Sequence, residues 1–138
     1  EYIDVIPDRE AIARYGLTVR DVHRSAGWYI RVLGMTKVLE RLKPDGVHAE
    51  ALLSHLGSGM LIGLISHEGN DGAPFSEFRT GLDHLEFGVA SRAELDAWIA
   101  HLDQHGVAHS GIKERGSSLI VTLRDPDNIQ LELYALAD

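Results

Sequence analysis

Residues 82–92, LDHLEFGVASR, have an echo seventy residues earlier in IARYGLTVRDV, residues 12–22, and the architecture follows from that pairing. A shift of 70 lays Arg14-Tyr15-Gly16-Leu17-Thr18-Val19 on His84-Leu85-Glu86-Phe87-Gly88-Val89. Each run leads into a helix signal. After the first, Asp21 stands as an N-cap, VHRSAGWYIRVLG (22–34) places Val22, Ala26, Tyr29 and Leu33 on one face, and Gly34 ends the helix. After the second, Ser91 and Glu94 have capping-box spacing in SRAELDAWIAHLDQHG (91–106). Leu95, Trp98, Ile99 and Leu102 mark its apolar face and Gly106 stops it.

Short runs of strand composition fill the rest: 36–42, 47–54, 60–66, 82–89, 107–111, 118–124 and 129–135. They are punctuated by KPDG, GSG, RG and DPDN, with 43–46 and 113–116 read as turns. A shift of 69 then lays Leu61-Ile62-Gly63-Leu64-Ile65 on Gln130-Leu131-Glu132-Leu133-Tyr134. Strand, helix, strand, strand, strand therefore occurs twice. The expected fold class is α+β: two βαβββ modules over 12–66 and 82–136, joined by the polar linker 67–81 and preceded by an extension, 1–11.

At 138 residues and 44% apolar content, the chain suffices for one domain with a proper core and no disulfide or structural metal as a staple. A net charge of −8, with 13 scattered Lys and Arg, gives no basic stripe, so neither nucleic acid nor membrane is an expected partner. No apolar run approaches a spanning length, and EYIDVIPDRE lacks the features of a signal peptide, so a cytoplasmic location is expected. The lack of cysteine excludes thiolate catalysis and zinc-thiolate sites. Any metal must be held by His, Asp or Glu.

Alternate side chains of a strand share a face. His84 and Glu86 thus point one way, and Gln130, Glu132 and Tyr134 form a polar face opposite Leu131 and Leu133. The apolar faces belong under the helices, which leaves the polar set on the other side of the sheet. A His and a Glu directed into one space form half of a hard nitrogen and oxygen site for a divalent ion.

The stretches LTVRDVHRSAGWYIRVLGM, GLDHLEFGVASRAELDAWIAHLDQHGVAHSGI and RDPDNIQLELY resemble the first helix, second-module opening and closing strand of the vicinal oxygen chelate superfamily. That superfamily includes glyoxalase, extradiol dioxygenases and bleomycin-resistance proteins, and the likeness runs over about residues 12–136. It implies mixed sheets curled round a shared cavity with the helices outside, often completed in a homodimer. In metal-dependent members it implies four ligands, one at the start of each module's first strand and one in each module's last. Here the second module keeps His84 and Glu132, whereas the first presents Arg14 and Gly63, with His67 and His48 as nearby candidates to compensate.

A guanidinium cannot coordinate a cation but can pair with a carboxylate. The expectation is therefore that Arg14 reaches Glu132 and takes the charge role of a metal; the alternative is that it turns to solvent. Gly63 with Leu61 and Ile65 makes a small apolar wall, and Arg14, Thr18, His84, Glu86, Gln130, Glu132 and Tyr134 supply the polar groups of a small-molecule pocket. Two readings stay open. One is metal-independent binding of a small, partly apolar organic molecule, with no cofactor. The other is catalysis: a lyase, isomerase or dioxygenase holding one divalent ion on His84 and Glu132, or metal-free proton transfer by His84. Loops 43–46, 55–59 and 67–81 shape the pocket and do not declare their conformations.

Overall fold

The computed structural model describes residues 14–42, 44 and 49–137. The expected extension 1–11, His48 and all of loop 43–46 except Pro44 lie outside the described residues. The chain divides into two compact units, Glu1–Gly72 and Ala73–Asp138.

In the first unit, β1 (Arg14–Thr18), α1 (Val22–Leu33), β2 (Thr36–Leu42), β3 (Ala49–His55) and β4 (Met60–Ile65) follow in order. In the second come β5 (Leu85–Gly88), α2 (Arg92–Gln104), β6 (Lys113–Arg115), β7 (Ser118–Arg124) and β8 (Gln130–Leu136). Each unit holds an open four-stranded mixed sheet, in the orders β1-β4-β3-β2 and β5-β8-β7-β6. The first and last strands of each unit run parallel and the other neighbours antiparallel. This is the α+β arrangement of two βαβββ modules. Among the described residues, no helix is long and apolar enough to cross a membrane.

The register reproduces the repeat residue by residue. Tyr15 pairs with Ile62 and Gly16 with Gly63 in the first unit, and Leu85 with Leu131 and Glu86 with Glu132 in the second. The expected helix faces also hold. Val22, Ala26, Tyr29 and Leu33 are buried where α1 packs on β3 and β4, and Leu95 and Leu102 where α2 packs on β8 and β7. Trp28 and Trp98 are half-buried.

The caps explain the helix starts. Asp21 accepts a hydrogen bond from the Arg24 N–H at 2.9 Å, and Ser91 accepts one from the Glu94 N–H at 3.3 Å. The Glu94 carboxylate reaches back to the Ala90 N–H at 2.9 Å, a capping box displaced by one residue.

Two expectations need correction. Residues 107–111 form no strand beyond a single bridge between His109 and Leu123, and 113–115, read as a turn, are strand β6. All three β6 side chains are exposed, so no alternation marks the strand. It exists because Lys113 and Arg115 pair with Ile120 and Ser118 across a turn at Gly116, whose φ is 58°.

The turn before β8 is stitched by a buried carboxylate. Asp125 is 5% exposed, and its Oδ1 accepts from the N–H groups of Asp127 and Ile129, both at 2.8 Å. Asp125→Ala would leave those donors buried without that acceptor, a loss of about 2–4 kcal/mol. Thermal unfolding is expected to show this loss, with Asp125→Asn recovering part of it because an acceptor oxygen remains.

Candidate functional site

The parallel β5–β8 register sets Glu86 directly beside Glu132 and places His84, one residue ahead of β5, on the same face. His84 was expected inside a strand from 82 to 89, but the strand begins at Leu85. Leu82 and Asp83 are exposed loop, so His84 sits at the mouth of the sheet. One ligand atom from each of His84, Glu86 and Glu132 lies within 4.8 Å of the others, a group of three side chains that could hold a metal ion.

Glu132 is 2% exposed, and burying a carboxylate is costly unless it is hydrogen-bonded or paired. Its Oε1 accepts from Gln130 Nε2 at 2.8 Å and from the Thr122 hydroxyl at 3.4 Å. Thr122 is the cross-strand partner of Glu132 on β7. Both donors hold one oxygen, while Oε2 stands 3.9 Å from His84 Nε2.

The His84 ring is oriented from its other side. Nδ1 lies 2.6 Å from Asp83 Oδ2. A carboxylate only accepts, so Nδ1 carries the proton and Nε2 is left facing Glu132. This is the carboxylate–histidine arrangement that tunes metal-ligating imidazoles. The Asp83 hydrogen bond, helped by the negative charges of Glu132, Asp83 and Glu86 and opposed by partial burial, raises the His84 pKa above its ordinary value.

Tyr134 completes this face. It pairs with Gly88, and a Cβ at Gly88 would stand 3.3 Å from the Tyr134 ring and from its hydroxyl. The backbone of Gly88 is ordinary strand, and the phenol lies across β5 where a side chain would be, so a Cβ here would press the tip of the Tyr134 ring aside by a few tenths of an ångström.

The residues expected from the sequence thus fall into two sets. His84, Glu86, Gln130, Glu132 and Tyr134 come together on the second sheet. Arg14, Thr18, Gly63 and Ile65 share a face of the first sheet, where Arg14 pairs with Leu61, Gly16 with Gly63 and Thr18 with Ile65. Arg14 and Thr18 are exposed. His67 is an exposed residue just beyond β4 in the first unit. Sequence reasoning placed Glu86 among the pocket residues on this face but not among the metal ligands, and it missed Asp83 and Thr122. The Asp-His dipeptide was a legible signal for Asp83. Thr122 was not, because its pairing with Glu132 depends on the β7–β8 register.

Donors sharing an ion at 2.0–2.2 Å stand no more than about 4.4 Å apart. The 3.9 Å between His84 and Glu132 lies within that limit, and with 4.8 Å bounding the whole group, exposed Glu86 is the side chain that would move in to complete it. One imidazole and two carboxylates suit a hard or borderline divalent cation. The cluster fits a metal.

Residues 11–133 match the model of the glyoxalase/bleomycin resistance protein/dioxygenase superfamily. A catechol-2,3-dioxygenase of Bacillus subtilis (strain 168) is 32% identical over 120 residues, covering 86% of this chain. The chain spans 39% of that relative's length. Among solved structures, a glyoxylase/bleomycin resistance protein/dioxygenase domain from Frankia sp. EAN1pec superposes with a TM-score of 0.80 at 34% identity, covering 91% of this chain and 90% of that one. The fosfomycin resistance protein FosX of Listeria monocytogenes, complexed with Mn(II) and sulfate, shares the fold at 15% identity, with a TM-score of 0.63 and 88% of each chain covered.

Replacing Asp83 tests the His84 geometry without any ligand. Because folding raises the His84 pKa, the interaction contributes stability that is fully present below the ordinary imidazole range and is lost as pH rises through the raised midpoint. In Asp83→Asn, the His84 midpoint followed by NMR is expected to fall toward the ordinary value. The stability gap to the parent should be widest on the acid side.

Proposed function

The chain belongs to the glyoxalase/bleomycin resistance protein/dioxygenase superfamily, and from that premise we propose that it is a divalent-metal-dependent enzyme acting on a small organic molecule with adjacent oxygens. The observation that carries this reading is the convergence of His84, Glu86 and Glu132 within 4.8 Å. Similarity to a catechol-2,3-dioxygenase makes a catechol-like vicinal diol the first substrate class to try.

His84 Nε2, Glu86 and Glu132 would hold the ion. Bound there, it would act as a Lewis acid toward the two oxygens of the substrate. The remaining work falls to the protein's own residues. Asp83 keeps the His84 ring in the tautomer that leaves Nε2 basic. Gln130 and Thr122 hold Glu132 Oε1, so that Oε2 is the oxygen presented. The Tyr134 hydroxyl, carried across Gly88, supplies a hydrogen-bond donor on the same face.

Every ligand in this proposal comes from the second unit. The matching positions of the first are Arg14, Gly16 and Gly63, none of which can serve. That observation favours a second reading, metal-independent binding of a partly apolar organic molecule, in which the acidic cluster only orients a polar group.

Elemental analysis of protein purified without chelator or metal-affinity column separates the two. Near-stoichiometric divalent metal in the parent is expected, together with its loss in Glu132→Gln and retention in Arg14→Ala. Metal affinity should rise with pH as protons leave His84. Asp83→Asn should weaken it by about 10–100-fold, the usual cost of removing a partner of a metal-ligating histidine. Metal-free protein that still binds catechol in calorimetry would instead establish the second reading. Under either, Gly88→Ala should displace the Tyr134 ring and weaken catechol binding, while the first reading also requires its metal content to be unchanged.

A further inference from the structure

Helix α2 carries a second group of ligating side chains, outside the site above. Trp98, His101 and His105 are spaced three and four residues apart, the spacing that stacks side chains on one face of a helix. His101 and His105 are both half-buried, and their rings lie 4.2 Å apart between centroids at a tilt of 41°. Trp98 meets the His101 ring edge-on from the preceding turn, at 5.5 Å and 87°. The His101 ring is thus held between two aromatic neighbours, and its rotamer is restricted before any ligand arrives.

The chemistry of His105 is set by the helix end. It is the C-cap residue, and its Nδ1 lies 2.9 Å from the His101 carbonyl oxygen. A carbonyl only accepts, so Nδ1 carries the proton, and in the neutral ring the lone pair is on Nε2. An imidazole has two nitrogens, so a hydrogen bond through one nitrogen of His101 leaves the other able to ligate. His109 is committed elsewhere: its Nε2 meets Asp103 Oδ1 at 2.9 Å, and its Nδ1 accepts from the Gly111 N–H at 3.1 Å.

We propose that His101 and His105 form a two-imidazole site for a late first-row divalent ion, Cu²⁺ or Ni²⁺, distinct from the acidic cluster on the sheet. Histidines at i and i+4 on one helix face bracket a single ion with bonds of about 2.0–2.1 Å, and these two rings, with centroids 4.2 Å apart, are already neighbours on that face. The two sites differ in donor type. One imidazole and two carboxylates favour harder ions, whereas paired neutral imidazoles favour the later metals, with Cu²⁺ strongest.

The test uses the full chain without an affinity tag, titrated with Cu²⁺ and followed by two-dimensional NMR and tryptophan fluorescence. Paramagnetic broadening is expected to centre on residues 97–106 and on the His101 and His105 ring signals, with quenching of Trp98, and to persist in Glu132→Gln. His101→Phe keeps an aromatic ring between Trp98 and His105 but removes its nitrogens. It should leave the fold intact by circular dichroism and weaken Cu²⁺ binding by about tenfold or more, the effect of losing one arm of a chelate. Broadening around His84 that spares 97–106, or His101→Phe binding Cu²⁺ as tightly as the parent, would overturn the proposal and leave the stack a purely structural cap of α2. The map on the unmutated chain decides the matter if the variant fails to fold.

Discussion

A carboxylate that is 2% exposed governs the second unit. Glu132 lies in β8, with β5 on one side and β7 on the other, and its burial is tolerable because its neighbours were chosen around it. Gln130 and Thr122 satisfy one oxygen. Glu86, directly opposite on β5, would be a repulsive like-charge neighbour in a purely structural sheet. Two carboxylates side by side, with an imidazole 3.9 Å from one of them, are the arrangement on which the proposed cation site rests.

The parallel pairing of β5 and β8 is what creates this group. In a parallel ladder a residue and its partner face the same side, so Glu86 and Glu132 meet only if the register is the observed one. A slip of one residue would turn every polar side chain into the core under α2. Register is therefore held strongly, by Leu85, Leu131 and Leu133 on the buried face and by the DPDN turn stitched to Asp125. The same turn anchors the preceding loop. The Phe75 N–H donates to the Asp127 carbonyl at 2.8 Å, and Arg124 pairs with Glu77 at 2.9 Å, which holds the Glu77 carboxyl below its ordinary pKa.

The two units share a backbone plan and differ in what they do with it. Where the second has His84, Glu86 and Glu132, the first has Arg14, Gly16 and Gly63. Where the second has Gly88 beside Tyr134, the first has Thr18 beside Ile65. The first unit keeps the strands and the buried apolar layer of Leu17, Ile62 and Leu64, which are what packing requires, and carries none of the acidic cluster.

The amino-acid order alone determined the two βαβββ modules, both helices with their caps, and the sharing of one face by His84, Glu86, Gln130, Glu132 and Tyr134. These follow from periodicity and from the repeat, which are local or self-referential properties of a chain. It did not show strand β6, whose three exposed side chains carry no alternation, nor the retreat of His84 to a position just before its strand. The convergence of Glu86 with His84 and Glu132, the support from Thr122 and the close contact of the two imidazoles on α2 came only from the tertiary structure. Each depends on a distance across strands or between rotamers, set by register and packing, and spacing along a chain does not encode it.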